Sequence, residues 1–194
     1  MAPEEPPLDP DAALMLRVQR GDAAAFSLLL QRHHQRVLNL AWRYFGDRAA
    51  AEDAVQETFL KVYQARERYR PDAPFHSYLL RVASNVCLSV LRRKKPLSLD
   101  EDQDEGGPRA RSDPRTAAPG EGLLDDELKR RVREAVAALP DRQRLAIVLN
   151  KFEGLDYEQV AEHLGLTVPA TKSLLHRARM ALKDVLEGYL QEGK

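Results

Sequence analysis

Residues 156–186 read DYEQVAEHLGLTVPATKSLLHRARMALKDVL, and this stretch decides the fold. Tyr157, Val160, Ala161 and Leu164 recur at three- and four-residue spacing and so share one face of a helix. Gly165 ends that helix, where a residue without a Cβ adopts the left-handed backbone cheaply. Thr167 is placed to cap a second helix, and Pro169 falls in its first turn, where a missing N–H does little harm. Two helices joined by so short a turn, with small Ala161 permitting close approach, read as a helix-turn-helix. In the second helix Thr171, Leu175, Ala178 and Leu182 would face inward. Lys172, Ser173, His176 and Arg177 would then face outward, as donors where a recognition helix meets a major groove and its phosphates. An ordinary amphipathic hairpin with a solvated basic face has the same pattern, so the rest of the chain must decide.

Upstream of this motif the pattern stays helical. Leu124, Leu128, Val132, Ala135 and Val136 mark a helix that ends at Leu139-Pro140, and Asp141 caps another that carries Leu145, Val148, Leu149 and Phe152 on its apolar stripe. Together these make a four-helix C-terminal body over residues 123–190. Residues 96–122 are rich in Pro, Gly, Ser and acids with no period, which marks a linker and the best domain boundary in the chain.

The N-terminal half, residues 11–95, is a second helical body. Its first helix contains Leu14 and Val18 and stops at Gly21. Asp22 caps a long helix with Phe26, Leu29, Leu30, Val37, Leu40, Ala41 and Tyr44 inward. A third helix, within residues 48–66, turns Val55, Thr58, Phe59 and Val62 inward and shows Glu52, Asp53, Gln56, Glu57 and Lys61. That acidic face is either plainly solvated or a docking face for a basic partner, and the plain account is the simpler. After the loop ERYRPDAP comes a fourth helix with a core face of Phe75, Leu79, Val82, Val86 and Val90. It ends in the basic run Arg92, Arg93, Lys94 and Lys95, which would grip phosphates. Tyr69, Phe75, Tyr78 and Asn85 lie nearby, aromatics and an amide suited to unstacked bases. Residues 1–10 hold too many prolines and acids to bury a core and are expected to be disordered.

The net charge of zero conceals an asymmetry. Residues 11–95 carry fifteen Lys and Arg against eight Asp and Glu, residues 96–125 three against eight, and residues 126–194 twelve against eleven. A basic body, an acidic connector and a balanced second body suit a protein with several surfaces to satisfy. No apolar run approaches the length that crosses a bilayer, and the acidic, Pro-rich start is unlike a signal sequence, so a cytoplasmic protein is expected. Cys87 is the only cysteine, which excludes an internal disulfide and a Cys-based zinc site. It falls near the core face of its helix, as a packing residue. The pair His33 and His34 lacks carboxylate or cysteine company, so neither a metal nor another cofactor is expected.

These motifs, in this order, resemble the extracytoplasmic-function (ECF) group of bacterial RNA polymerase sigma factors. GDAAAF at 21–26, AEDAVQETFLKVY at 51–63 and FHSYLLRVASNVCLSVLRR at 75–93 resemble the region-two domain. AALPDRQRLAIVL at 137–149 and EQVAEHLGLTVPATKSLLHRAR at 158–179 resemble the region-four domain. The resemblance implies an all-α protein of two small domains that binds core RNA polymerase and carries it to promoter DNA. It implies that Asp53, Gln56 and Glu57 dock on the clamp helices of the largest polymerase subunit. Tyr69 and Asn85 would belong to the pocket for a flipped base of the minus-ten element, and Arg92, Arg93, Lys94 and Lys95 would hold the DNA backbone. Lys172, Ser173, His176 and Arg177 would meet the minus-thirty-five element, the acidic linker would thread the polymerase cleft, and an anti-sigma factor would hold the two domains. Three positions depart from the family pattern: Tyr78 stands where Trp is usual, Ser89 where an acid is common, and Leu174 where an arginine would be a DNA contact.

Three other readings compete with this one. A freestanding regulator would use the same helix-turn-helix and favour a palindrome without polymerase. An enzyme would draw on His33, His34, His76, His163 and His176, none of which falls into a triad or metal spacing. A helical antagonist of a sigma factor would have no use for the Arg92–Lys95 run.

Overall fold

The computed structural model describes residues 9–94 and 123–192, and among these every regular element is helical. The N-terminal domain comprises α1 (Pro10–Gln19), α2 (Ala23–Phe45), α3 (Arg48–Gln64) and α4 (Phe75–Lys94), with a single 3-10 turn at Arg66–Arg68. The C-terminal domain comprises α5 (Leu123–Ala138), α6 (Asp141–Ile147) continued by a π-turn at Val148–Phe152, α7 (Tyr157–Leu164) and α8 (Val168–Glu192). The linker expected at 96–122 lies outside the described residues, as do residues 1–8. Asp9 and Pro10 are ordered, however, and Pro10 opens α1.

Local chemistry sets the helix ends. Asp22 and Asp47 cap α2 and α3 by accepting from the backbone N–H groups of Ala25 and Ala50 at 3.0 and 2.7 Å. Such caps contribute roughly 0.5–2 kcal/mol each. Gly46 ends α2 in the left-handed region at φ 68°, where any other L-residue is strained. The core of the domain is Met15, Leu29, Val37, Leu40, Tyr44, Val62, Phe75, Leu79 and Leu80, all nearly inaccessible. Burying a large apolar side chain in full stabilises by roughly 1.5–3 kcal/mol.

Three members of the expected stripes turn out differently. Leu30 is 37% exposed and Leu128 39% exposed. Phe152 is 47% exposed, because the π-turn adds a residue to the helical period and swings the ring away from the core face. Cys87 is buried as expected, and burial pushes its thiol up to about 12.

Two small domains on a tether would be independent, yet these pack directly on each other. Helices α2 and α4 meet α5, α6, its π-turn and α7, and the buried residues of both halves form one continuous cluster. Arg36 pairs with Glu153 at 2.8 Å, and Arg81 pairs with Glu162. Arg144 reaches across to donate to the Tyr44 carbonyl at 3.1 Å. Arg43 stacks over Phe152, and Arg133 over Trp42. The exposure of Phe152 is therefore not idle, since the π-turn that expels it from one core presents it to the other domain.

Candidate nucleic-acid and polymerase interfaces

The helix-turn-helix is built by its own side chains. Asp156 accepts from the Gln159 backbone N–H at 2.8 Å, and the Gln159 side chain accepts from the Asp156 N–H at 3.0 Å, a reciprocal capping box for α7. Gly165, at φ 64°, closes the helix, and Thr167 caps α8 by accepting from Ala170 N–H at 3.3 Å. Arg179 ties the motif to the preceding turn: it donates to the Tyr157 hydroxyl at 3.1 Å and to the Asn150 side-chain oxygen at 3.0 Å. That cation, through its hydrogen bond and its charge, lowers the Tyr157 phenol below its ordinary value.

Lys172, Ser173, His176 and Arg177 are all exposed on one side of α8, as the spacing predicts. Thr171, Leu175 and Ala178 are buried opposite them. Leu174 sits on neither of the faces that the spacing distinguishes. Its side chain is 5% exposed and belongs to the core cluster, so this position supplies packing here and stands off the donor face.

In the N-terminal domain, Asp53 and Gln56 are exposed and Glu57 half-exposed, with Glu57 paired to Lys61 at 3.2 Å. The same side of α3 continues, at helical spacing, to Leu60 (51% exposed) and Tyr63 (41% exposed). Phe26 of α2 supports the Tyr63 ring at 5.0 Å, and the Arg66 guanidinium covers it at 4.4 Å. The face is thus acidic at one end and apolar at the other. Sequence reasoning found the acids and missed Leu60 and Tyr63, although large apolar residues in step with the acids on an outward face were a readable signal.

Tyr69 lies in an aromatic knot, 6.2 Å from Phe75 and 5.1 Å from Tyr78 between ring centroids, both edge to face. It is buried, and its hydroxyl has no hydrogen-bond partner among the described residues. Burial first, and then the charge of Asp9, push the phenol up to about 12. Asn85 is exposed on α4, seven residues and two turns beyond Tyr78 on the same side. Between Tyr69 and α4, residues 70–74 are exposed. Arg92, Arg93 and Lys94 occupy the last turn of α4, and Lys95 lies outside the described residues. Among the described residues no cluster of three or more His, Cys, Asp and Glu side chains could hold a metal ion, and no helix is long and apolar enough to cross a membrane.

Comparison with known proteins bears on both domains. Residues 29–96 match the Sigma-70 region 2 family and residues 129–182 match the Sigma-70, region 4 family. The RNA polymerase sigma-H factor of Pseudomonas aeruginosa is 34% identical over 188 residues, which covers 94% of this chain and 96% of that relative. The ECF RNA polymerase sigma-E factor of Escherichia coli is also 34% identical over 188 residues, covering 91% and 94%. Among solved structures, CnrH in complex with the cytosolic domain of CnrY is 25% identical, with a TM-score of 0.66 over 93% of this chain and 99% of that one. The sigma factor RpoE of Bartonella quintana, in complex with the anti-sigma factor NepR, shares the fold at a TM-score of 0.66 and 23% identity. It covers 84% of this chain and 96% of its own.

Proposed function

This chain belongs to the sigma-70 family, with the paired regions two and four of its extracytoplasmic-function group, and we propose that it directs core RNA polymerase to promoters and opens DNA there. The observation that carries this is the presence of both regions, in order, along a chain that aligns with such relatives over nearly its whole length. On this reading the α3 face of Asp53, Gln56 and Glu57, extended by Leu60 and Tyr63, docks on the clamp helices of the largest polymerase subunit. The loop around Tyr69, with Asn85 on α4, takes a flipped minus-ten base, since base edges are read most freely out of the stack. Arg92, Arg93, Lys94 and Lys95 hold the backbone beside it. Lys172, Ser173, His176 and Arg177 enter the major groove of the minus-thirty-five element. The chain performs no catalysis of its own and acts in the cytoplasm. An anti-sigma factor that holds the two domains is the expected antagonist.

The packed arrangement of the domains has a consequence for this function. Elements named for positions ten and thirty-five are separated by roughly 25 base pairs, or about 85 Å at 3.4 Å per base pair. A compact body of this size has a radius of gyration of only roughly 15 Å. The domains must therefore part before both elements are engaged, and tethering raises the effective concentration of the second contact once the first is made.

The test is a gel shift with duplex promoter DNA. The free chain should bind weakly and without selectivity, and the chain with core polymerase should bind tightly and selectively. Lys172→Ala should weaken holoenzyme binding across sequences and lower the salt slope by about 1, as loss of one phosphate contact does. Binding by the free chain that is as selective as that of holoenzyme would instead make it a freestanding regulator.

A further inference from the structure

Helix α1 lies upstream of the segment that matches region two, which begins at residue 29, and nothing so far gives it a role beyond packing. Its two ends, however, hold the two ends of the exposed loop between α3 and α4. At the C-terminal end, the Gln19 side-chain amide donates to the backbone carbonyls of Arg66, Glu67 and Tyr69 at 3.2, 3.0 and 3.4 Å. These carbonyls close the 3-10 turn and lead into the loop. At the N-terminal end, the Asp9 carboxylate accepts from the Phe75 backbone N–H at 2.7 Å, the first donor of α4. Between these anchors residues 70–74 are exposed, and only the Tyr69 ring roots the segment in the core.

The strap is itself rigid. Ala12, Met15 and Val18 are at most 1% exposed. Asp11 binds both Arg32 and, at 2.8 Å, His33 of α2, while Arg17 holds Asp22 at 2.7 Å. A ten-residue helix spans about 15 Å, so α1 acts as a strut of fixed length set across the loop. One amide with two N–H donors, shared among three carbonyls, draws Arg66, Glu67 and Tyr69 toward a single point and so sets the backbone path of the turn.

We propose that Gln19 and Asp9 are positioning residues for the 66–75 loop, so that α1 fixes the geometry with which the domain reads opened DNA. The proposal rests on the sigma-factor reading of that loop. Gln19→Glu is the sharpest variant: it preserves size while setting a carboxylate against three carbonyls. Gln19→Lys restores donors at the same place. Asp9→Ala removes the other anchor and Asp9→Asn keeps an acceptor.

Holoenzyme made from core RNA polymerase and the full chain is given duplex templates randomised across both promoter elements, and its transcripts are sequenced. With Gln19→Glu and Asp9→Ala, the base preference at one or more minus-ten positions should fall about tenfold, the scale of a single lost base contact. Preferences at the minus-thirty-five element and affinity for core polymerase should stay unchanged. Gln19→Lys and Asp9→Asn should keep most of the minus-ten preference. Transcript yield that drops evenly with no change in base preference would reduce α1 to a structural brace and overturn the proposal, as would a Gln19→Glu profile identical to wild type. Wild-type holoenzyme that selects no promoter at all would instead remove the sigma-factor reading, and the strap with it.

Discussion

If the α3 face docks on core RNA polymerase as proposed, reversing it with Asp53→Lys and Glu57→Lys together should weaken that association by at least about a hundredfold, while the protein should melt as before. Two like charges set against a basic partner face cost several kcal/mol, and each 1.4 kcal/mol is about tenfold in affinity. Folding is spared because these residues make few internal contacts. Among the described residues Glu57 pairs with Lys61 at 3.2 Å, and both partners are about a third or more exposed; such pairs contribute about 0–1 kcal/mol. The apolar end of the face gives a second handle on the same interface. Leu60→Asp, which removes a half-exposed apolar side chain and supplies an extra acid, should weaken docking although it makes the face more negative. Titration of fluorescently labelled protein onto core polymerase separates the two effects. If only charge mattered, Leu60→Asp would bind as well as wild type. An α3 face that is merely solvated predicts no change for any of these variants.

Glu153→Lys is expected to open the molecule. The Glu153 side chain is 5% exposed and meets Arg36 across the domain boundary at 2.8 Å, with Arg36 itself 40% exposed. Breaking a buried, hydrogen-bonded charge pair costs about 2–5 kcal/mol. The open edge of the Arg36 site argues for the lower end, about 2 kcal/mol, or roughly a thirtyfold shift toward separated domains. Small-angle scattering should show a larger radius of gyration with helix content unchanged by circular dichroism. The double variant Arg36→Glu, Glu153→Lys should close it again, and a single variant as compact as wild type would show that the apolar contacts suffice alone.

The parts of this structure that could be read from the chain are those whose chemistry is local. Gly165, Thr167 and Pro169 act on their own backbone, so the helix-turn-helix and its outward donors were legible without any tertiary information. The same holds for Asp22 at the start of α2. Where tertiary packing decides, the pattern ran out. A single stripe of periodicity placed Leu175 inward and assigned Leu174 to neither face, whereas α8 packs against α5, α6 and α7 and so buries a wider arc. The inserted π-turn shifted Phe152 off a phase that was correct up to Leu149. The aromatic and amide composition near Tyr69 suggested an open platform. Edge-to-face contacts with Phe75 and Tyr78 bury that ring, and the exposed surface falls on the residues after it.

Long-range side-chain contacts leave no periodic trace at all. Arg36 and Glu153 are 117 positions apart, and Gln19 and Glu67 are 48 apart. Each looks like an ordinary surface residue in its own helix or turn. The packing of the domains on each other, and the strap across the loop, therefore became visible only in three dimensions.

The most direct measurement is run-off transcription with purified core polymerase on templates bearing candidate promoters. Core with this chain should start at discrete sites, and neither core alone nor core with the Asp53→Lys, Glu57→Lys variant should do so. A chain that binds core tightly yet yields no discrete starts on any promoter, or one that needs no core to select its DNA, would contradict the account.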